Sequence, residues 1–261
     1  MTEPPIFIGL DLAWSNRNPS GGAVIRGHEL VAVTGDLGDD DAILAFVARY
    51  LAGDGPAVVA VDAPLRVPNA TGSRACDNAL SAAWRRFEAG ALPANRRLLA
   101  RAGQVRGELL VAGLARCCRV TEAALVPRHH PGRIVCEVYP HPAQVSLFGL
   151  DKTLKYKGRR GRTLEERLAA FRRYHHGLAD LAGADPPLLG DIGALLAVDP
   201  ATLQGKRLKR HEDALDAVTC AYVAAYLWQH GPSHTRVYGD VAGGHILVPV
   251  TPAMARRLVN S

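Results

Sequence analysis

HEDALDAVTCAYVAAYLW, residues 211–228, is the stretch on which the fold turns. From Ala214 onward it is almost wholly apolar, as expected of a helix buried all round. Its start nevertheless carries a pair of carboxylates three residues apart, Asp213 and Asp216. Side chains three residues apart share one helix face. An ionised carboxylate taken out of water is costly unless it is paired or binds a metal. The rest of the chain has to supply the partners.

The candidates lie on predicted strands. IFIGLDLAW (6–14) is a short apolar run with β-branched and aromatic character, read as a strand ending near Asp11. Turn chemistry at NPSGG (18–22) leads into AVIR (23–26) and ELVAVTG (29–35), so the first three strands form an antiparallel meander. A helix follows from the acidic caps of DDDAILAFVARYLAG (39–53). AVVAVDAPL (57–65) and RIVCEVYP (133–140) are compact apolar runs of the kind that form buried parallel strands. Helices are expected at about 74–89, 104–118, 120–126, 141–149, 163–182, 188–197 and 211–230. TRVYG (235–239) and HILVPV (245–250) make a C-terminal β-hairpin at a sheet edge. The class is α/β, one domain over 1–261 with a basic, mostly helical insertion at about 150–205.

Bulk properties narrow the function. Of 261 residues, 48% are hydrophobic and 21% charged, ordinary values for a globular protein with a sizeable core. There is no apolar run of about 18 residues, so no membrane span is expected, and MTEPPIFIGLDLAW has no basic stretch to make a signal peptide. Five cysteines without C-x-x-C spacing read as reduced thiols of a cytoplasmic protein. Residues 151–210 hold 13 of the 31 Lys and Arg but 7 of the 25 Asp and Glu, a difference of six that equals the whole net charge of +6. A basic region this localised suits a polyanion such as nucleic acid.

In parallel α/β sheets, sites form outside the carboxyl ends of the strands. Asp11, Asp62 and Glu137 each fall at or near such an end, and the first turns bearing Asp213 and Asp216 would pack on the same edge. Close carboxylates raise each other's pKa unless cations neutralise them, and hard oxygen ligands suit Mg²⁺ or Mn²⁺. Two such ions about 3.5–4 Å apart clamp the attacking water and the leaving oxygen of a phosphodiester. Each acid also has a local use. Asp11 can end its strand, Asp62 can turn the chain before Ala-Pro, Asp213 can favour a helix start, and Glu137 can pair with a buried arginine.

GLDLAW (9–14), VDAPL (61–65), Arg74–Cys76–Asp77, EVYPHP (137–142), LKYKGRRGRTLEERL (154–168) and HEDALDA (211–217) occur in this order in one family. By these motifs the chain resembles the domain of unknown function 429 family, described as predicted nucleases of the RNase H-like superfamily. The resemblance implies an RNase H-like fold, a mixed five-stranded sheet flanked by helices. The β-β-β-α-β-α-β-α order read from the residues agrees with it. HEDALDA is also similar to the D-A-x-D-A pattern of RuvC-type resolvases. That likeness implies that Asp11, Asp62, Asp213 and Asp216 are the metal-binding catalytic carboxylates. Asp62 stands where a resolvase has glutamate, and Glu137, from this family's own motif, joins as a further ligand or base.

The expected activity is a divalent-metal-dependent nuclease that uses Mg²⁺ or Mn²⁺, acts on DNA or RNA and can pair as a homodimer. Two alternatives stay open, a non-catalytic nucleic-acid-binding or assembly module and actin-like ATPase or sugar-kinase phosphate chemistry. The second needs a Gly-Thr/Ser turn directly after Asp11, where the chain reads LAWSNRNPSGG. Expected substrate contacts are Lys155, Lys157, Arg159 and Arg160 from LKYKGRRGR (154–162) and Lys209 from KRLKR (206–210), positioning phosphates without sequence readout. Both basic clusters should border one groove ending at the carboxylates. Arg74 and Tyr139, from the matched motifs, and Trp14, able to stack on a base or bury beside the sheet, complete the set. The adjacent pairs His129–His130 and His175–His176 are expected at the surface, Cys117–Cys118 in a helix core, and Leu164, Leu168 and Phe171 on the buried face of their helix.

Overall fold

A computed structural model describes residues 3–15 and 18–259. Three strands come first, β1 (Ile6–Asp11), β2 (Ser20–Arg26) and β3 (Glu29–Leu37), then α1 (Asp40–Tyr50) and β4 (Ala57–Asp62). The Asp39 side chain caps α1 by accepting the Ala42 N–H at 3.0 Å. Next come α2 (Ala75–Trp84), α3 (Arg96–Leu99), α4 (Arg106–Cys118), β5 (Thr121–Glu122) and β6 (Arg133–Glu137). The remainder is α5 (Pro140–Leu147), α6 (Leu164–Asp180), β7 (Leu189–Gly190), α7 (Ile192–Leu196), α8 (Gly205–His230), β8 (Thr235–Asp240), β9 (Gly244–Pro249) and α9 (Pro252–Val259).

The main sheet has the order β5-β6-β4-β1-β2-β3-β7. β2 runs antiparallel to β1 and β3, while β4 is parallel to both β1 and β6. Seven strands replace the expected five because two-residue strands add at each edge. β5 stands where a helix over 120–126 is expected, and β7 takes the start of the helix expected over 188–197. Elements this short leave no periodicity to read. The C-terminal hairpin is a separate two-stranded sheet, linked to the main one by a bridge from Val138 to Leu247 and by the Glu137 N–H, which donates to His245 Nε2 at 3.1 Å. Leu164 is 58% exposed at the first position of α6; the buried stripe is Ala170, Phe171, Tyr174 and Leu178. Cys117 is exposed whereas Cys118 is buried, and all five cysteines are free. Among the described residues no helix is long and apolar enough to cross a membrane.

Helices cover both faces. On one, α1 and α4 bury Ile43, Val47, Leu110 and Leu114 against Ile8, Leu10, Val59 and Val61. On the other lies α8, packed across β1, β2, β3 and β4 and buried at every position from His211 to Leu227. Missing side chains allow this close approach. A Cβ at Gly35 would fall 1.8 Å from the Arg210 carbonyl oxygen, one at Gly21 2.1 Å from that of Asp213, and one at Gly9 2.0 Å from that of Ala217. Three strands thus offer a glycine to successive turns of one helix, which seats Asp213 and Asp216 directly over β1 and β2.

Candidate functional site: an acidic cluster at the carboxyl ends of β1 and β4

Strand alternation decides which acids meet. Phe7 of β1 and Val58 and Ala60 of β4 belong to the α8 side of the core, and Gly9 touches α8. Asp11 and Asp62, at the same parity, point to that side. They are direct register partners across the parallel pair. On β6 the α8 side takes Ile134, Cys136 and Val138, whereas Val135 packs on the α1–α4 side. Glu137 shares the parity of Val135. A one-residue offset puts a side chain on the opposite face, so Glu137 stands apart from the other four carboxylates although it lines the same cavity as Asp11, Asp62 and Asp213.

Glu137 meets Arg74 instead. The guanidinium grips both carboxylate oxygens, Nη1 to Oε2 at 2.8 Å and Nη2 to Oε1 at 2.6 Å, and the Leu65 N–H donates to Oε2 at 2.9 Å. Arg74 also binds Asp77 at 2.7 Å. Burial works against the Arg74 charge, but the two carboxylates outweigh it and raise its pKa. Arg74, expected to touch substrate, is the buried counter-charge of Glu137 and Asp77, and all three line one cavity with Asp11 and Asp62. The Tyr139 hydroxyl is likewise engaged, donating to the Gly90 carbonyl at 3.3 Å.

The four remaining acids converge. A cavity of about 630 Å³ opens over Asp11, Asp62 and Asp213, with Lys157, Lys209 and Arg159 in its lining. Asp216 lies beneath it, fully buried. Its Oδ1 accepts hydrogen bonds from the hydroxyls of Tyr156 at 2.6 Å and Tyr174 at 2.9 Å, and its Oδ2 lies 2.8 Å from the Lys157 ammonium. Burial pushes Asp216 up, but Lys157 and the Tyr156 hydroxyl more than offset it and hold the carboxyl below its ordinary range. Asp11 moves the other way. Burial raises it well above the carboxylate range against the pull of Lys157, with Asp216, Asp62 and Asp213 adding to the rise. Asp62 is pushed up to about 7 by burial, opposed by Lys157 and reinforced by Asp216. Asp213 is raised by burial too, although Lys209 binds it and pulls the other way.

Among the described residues, no three His, Cys, Asp or Glu side chains stand ready to hold an ion; the ammonium groups of Lys157 and Lys209 take the counter-charge positions. The donor set still suits a hard divalent cation. All four groups are carboxylates, three carry raised pKa values partly from mutual repulsion, and the counter-charge on Asp216 Oδ2 is a single lysine ammonium, that of Lys157. Oxygen donors under such repulsion are what Mg²⁺ or Mn²⁺ would neutralise.

The basic residues divide. Lys206, Lys209 and Arg210 line the cavity with Lys157 and Arg159, so members of both predicted clusters share it. Lys155 does not; it pairs with Glu88 at 2.7 Å. Arg160 lines a separate cavity together with Lys155. Trp14 is 52% exposed and borders the acidic cavity, not the sheet core. His175 is not a free surface group, since its Nε2 lies 2.9 Å from that of His211.

Nothing in the spacing singles out His141, yet it lines the cavity. Burial and the nearby Lys157 hold its pKa down to about 3, so the ring is neutral, with Nδ1 2.9 Å from the Thr153 hydroxyl. Its place in the EVYPHP motif was the one available signal. Arg106 is equally silent in the sequence. Buried at the start of α4, it binds Asp40 at 2.6 Å and the carbonyls of Ala13 and Ser15 at 2.7 and 3.2 Å, which anchors the segment after Asp11.

No curated protein and no solved structure matches the chain. A family model described as Protein of unknown function (DUF429) matches residues 9–241. With nearly its whole length inside that match, the chain belongs to the DUF429 family.

Proposed function

We propose that the protein is a divalent-metal-dependent nuclease that hydrolyses phosphodiester bonds of nucleic acid. The observation that carries this reading is the convergence of Asp11, Asp62, Asp213 and Asp216 at one strand edge, under a cavity whose lining includes Lys206, Lys209, Arg210 and Arg159. The order β3-β2-β1-β4-β6, with β2 alone antiparallel to its neighbours within the parallel set and α8 laid across it, supports an RNase H-like architecture. Asp11, Asp62, Asp213 and Asp216 would hold Mg²⁺ or Mn²⁺, whose chemistry is to polarise phosphate oxygens and lower the pKa of bound water. The residues themselves do the rest. Lys157 and Arg159 orient the phosphate by charge, and the His141 imidazole, which burial and Lys157 keep uncharged, adds a neutral polar group to the cavity wall.

Labelled single-stranded, duplex, hybrid and branched substrates incubated in Mg²⁺ or Mn²⁺ test the reading. Cleavage is expected with at least one of them and should fall by two or more orders of magnitude in Asp11→Asn. Cleavage that survives this substitution would rule the assignment out. One observation favours a non-catalytic nucleic-acid-binding module instead: Lys157 and Lys209 already neutralise Asp216 and Asp213. That module binds nucleic acid without turnover in any metal.

A further inference from the structure

The acidic cavity has a second chemistry in its lining. Beside the carboxylates and cations it includes Trp14, Leu92 and Pro93. Trp14 is 52% and Leu92 47% exposed, large apolar side chains left in water next to a concentration of charge. Their backbones are braced. Ala13 donates its N–H to the Ser20 hydroxyl at 3.1 Å while its carbonyl and that of Ser15 are held by Arg106. On the second segment the Gly90 carbonyl accepts from Tyr139, and the Ala94 N–H donates to Asp77 Oδ2 at 3.1 Å. An exposed ring on an anchored backbone binds at low cost in conformational entropy.

We propose, resting on the nuclease reading above, that the substrate presents an unpaired nucleotide to this cavity, its phosphate toward the carboxylates and its base stacked on Trp14. Bases inside a duplex have both faces covered by neighbours, so only a nucleotide in a single strand, flap or frayed end can offer one to an indole. The cavity volume, about 630 Å³, lies in the range of small-ligand pockets and suits a nucleotide better than the cross-section of a double helix. Trp14 follows Asp11 by three residues, a span of at most roughly 11 Å, the scale of an extended nucleotide or two. Stacking is tolerant of sequence because every base has a π-face, so the preference is for strand state and not for a particular base.

Fluorescence anisotropy with Ca²⁺ in place of Mg²⁺ or Mn²⁺ reads binding without relying on turnover. A labelled single-stranded octanucleotide is expected to bind more tightly than the blunt duplex of the same sequence. Trp14→Ala should weaken the single strand by roughly five- to a hundred-fold and leave the duplex unchanged, and Trp14→Phe should restore most of the loss. Trp84 is fully buried and Trp228 is tied to the His130 carbonyl, so quenching of intrinsic fluorescence by the unlabelled single strand should disappear in Trp14→Ala. Equal affinity for strand and duplex, or a single-strand affinity indifferent to Trp14→Ala, would overturn the proposal. Failure of the nuclease reading shows separately, as no cleavage in Mg²⁺ or Mn²⁺ of a strand that binds in the Trp14-dependent way.

Discussion

Two groups of carboxylates, buried or half-buried, gather near the carboxyl ends of adjacent strands, and they are neutralised differently. Glu137 and Asp77 close around Arg74, all three side chains being 4% exposed or less. A planar guanidinium matches carboxylates with paired, directed hydrogen bonds, so this group is complete. Asp11, Asp62, Asp213 and Asp216 have no guanidinium bound to them. Their counter-charges are Lys157 and Lys209, point charges on flexible stems that are 29% and 58% exposed. Lys209 also binds Glu212 at 3.1 Å, so five acids face two ammonium groups, and the surplus of acids is held in check by raised pKa values. A fork that grips both of its carboxylates makes a structural pair; lysine ammonium groups fewer than the acids they face leave oxygens for another cation.

The sharpest break of this contrast is Arg74→Ala. It strands Glu137 and Asp77 in the interior and should cost about 3–5 kcal/mol by urea denaturation. A loss under about 1 kcal/mol would mean that the pair is no more than a surface contact. Asp62→Asn should act in the opposite direction. The folded-state pKa of Asp62 is raised from 3.8 to about 7, so between those values the native protein keeps a proton that the unfolded chain has released. Wild-type stability should therefore fall as pH rises through that window and level off above it. Removing the charge should stabilise the protein above pH 7 by up to roughly 4 kcal/mol and by little near pH 4. A gain that does not depend on pH would place the cause in packing.

Lys157→Met should be milder, costing roughly 1–3 kcal/mol, because Asp216 keeps both tyrosine hydroxyls and can take up a proton. Asp216 is held below its ordinary range, so its contribution is present above the unfolded pKa and is lost as pH falls. In Lys157→Met that loss should begin at a higher pH, visible as an upward shift of the acid unfolding midpoint. Tyr156→Phe should have the smallest effect, about 1 kcal/mol, since Tyr174 still donates to the same oxygen. If Tyr156→Phe costs as much as Lys157→Met, the hydroxyls and not the ammonium hold Asp216 charged.

Much of the site is legible in the residues. Asp11 and Asp62 are the last residues of β1 and β4, where turn chemistry and apolar runs put them, and the 3-residue spacing of Asp213 and Asp216 on α8 follows from helical geometry alone. The face chosen by Glu137 is not legible. In RIVCEVYP both sheet faces are buried, so successive positions are apolar on either side and alternation carries no signal. The start of α8 is equally hidden, because KRLKR reads as a solvated run and nothing in it requires a helix.

Local chemistry alone determined the order of the longer strands and helices, the ends of β1 and β4 and the buried character of α8, since those depend on neighbours within a turn or a strand. The partners of the charges depend on residues far apart in the chain, and only the tertiary structure chose them. It brought Lys157 to Asp216 and Arg74 to Glu137, and it matched Gly9, Gly21 and Gly35 on three strands to one helix backbone. The physical reason is burial. An aspartate inside an apolar helix announces that it needs a partner but not which one, and a lysine in a basic loop becomes that partner only when packing removes the water from both at once.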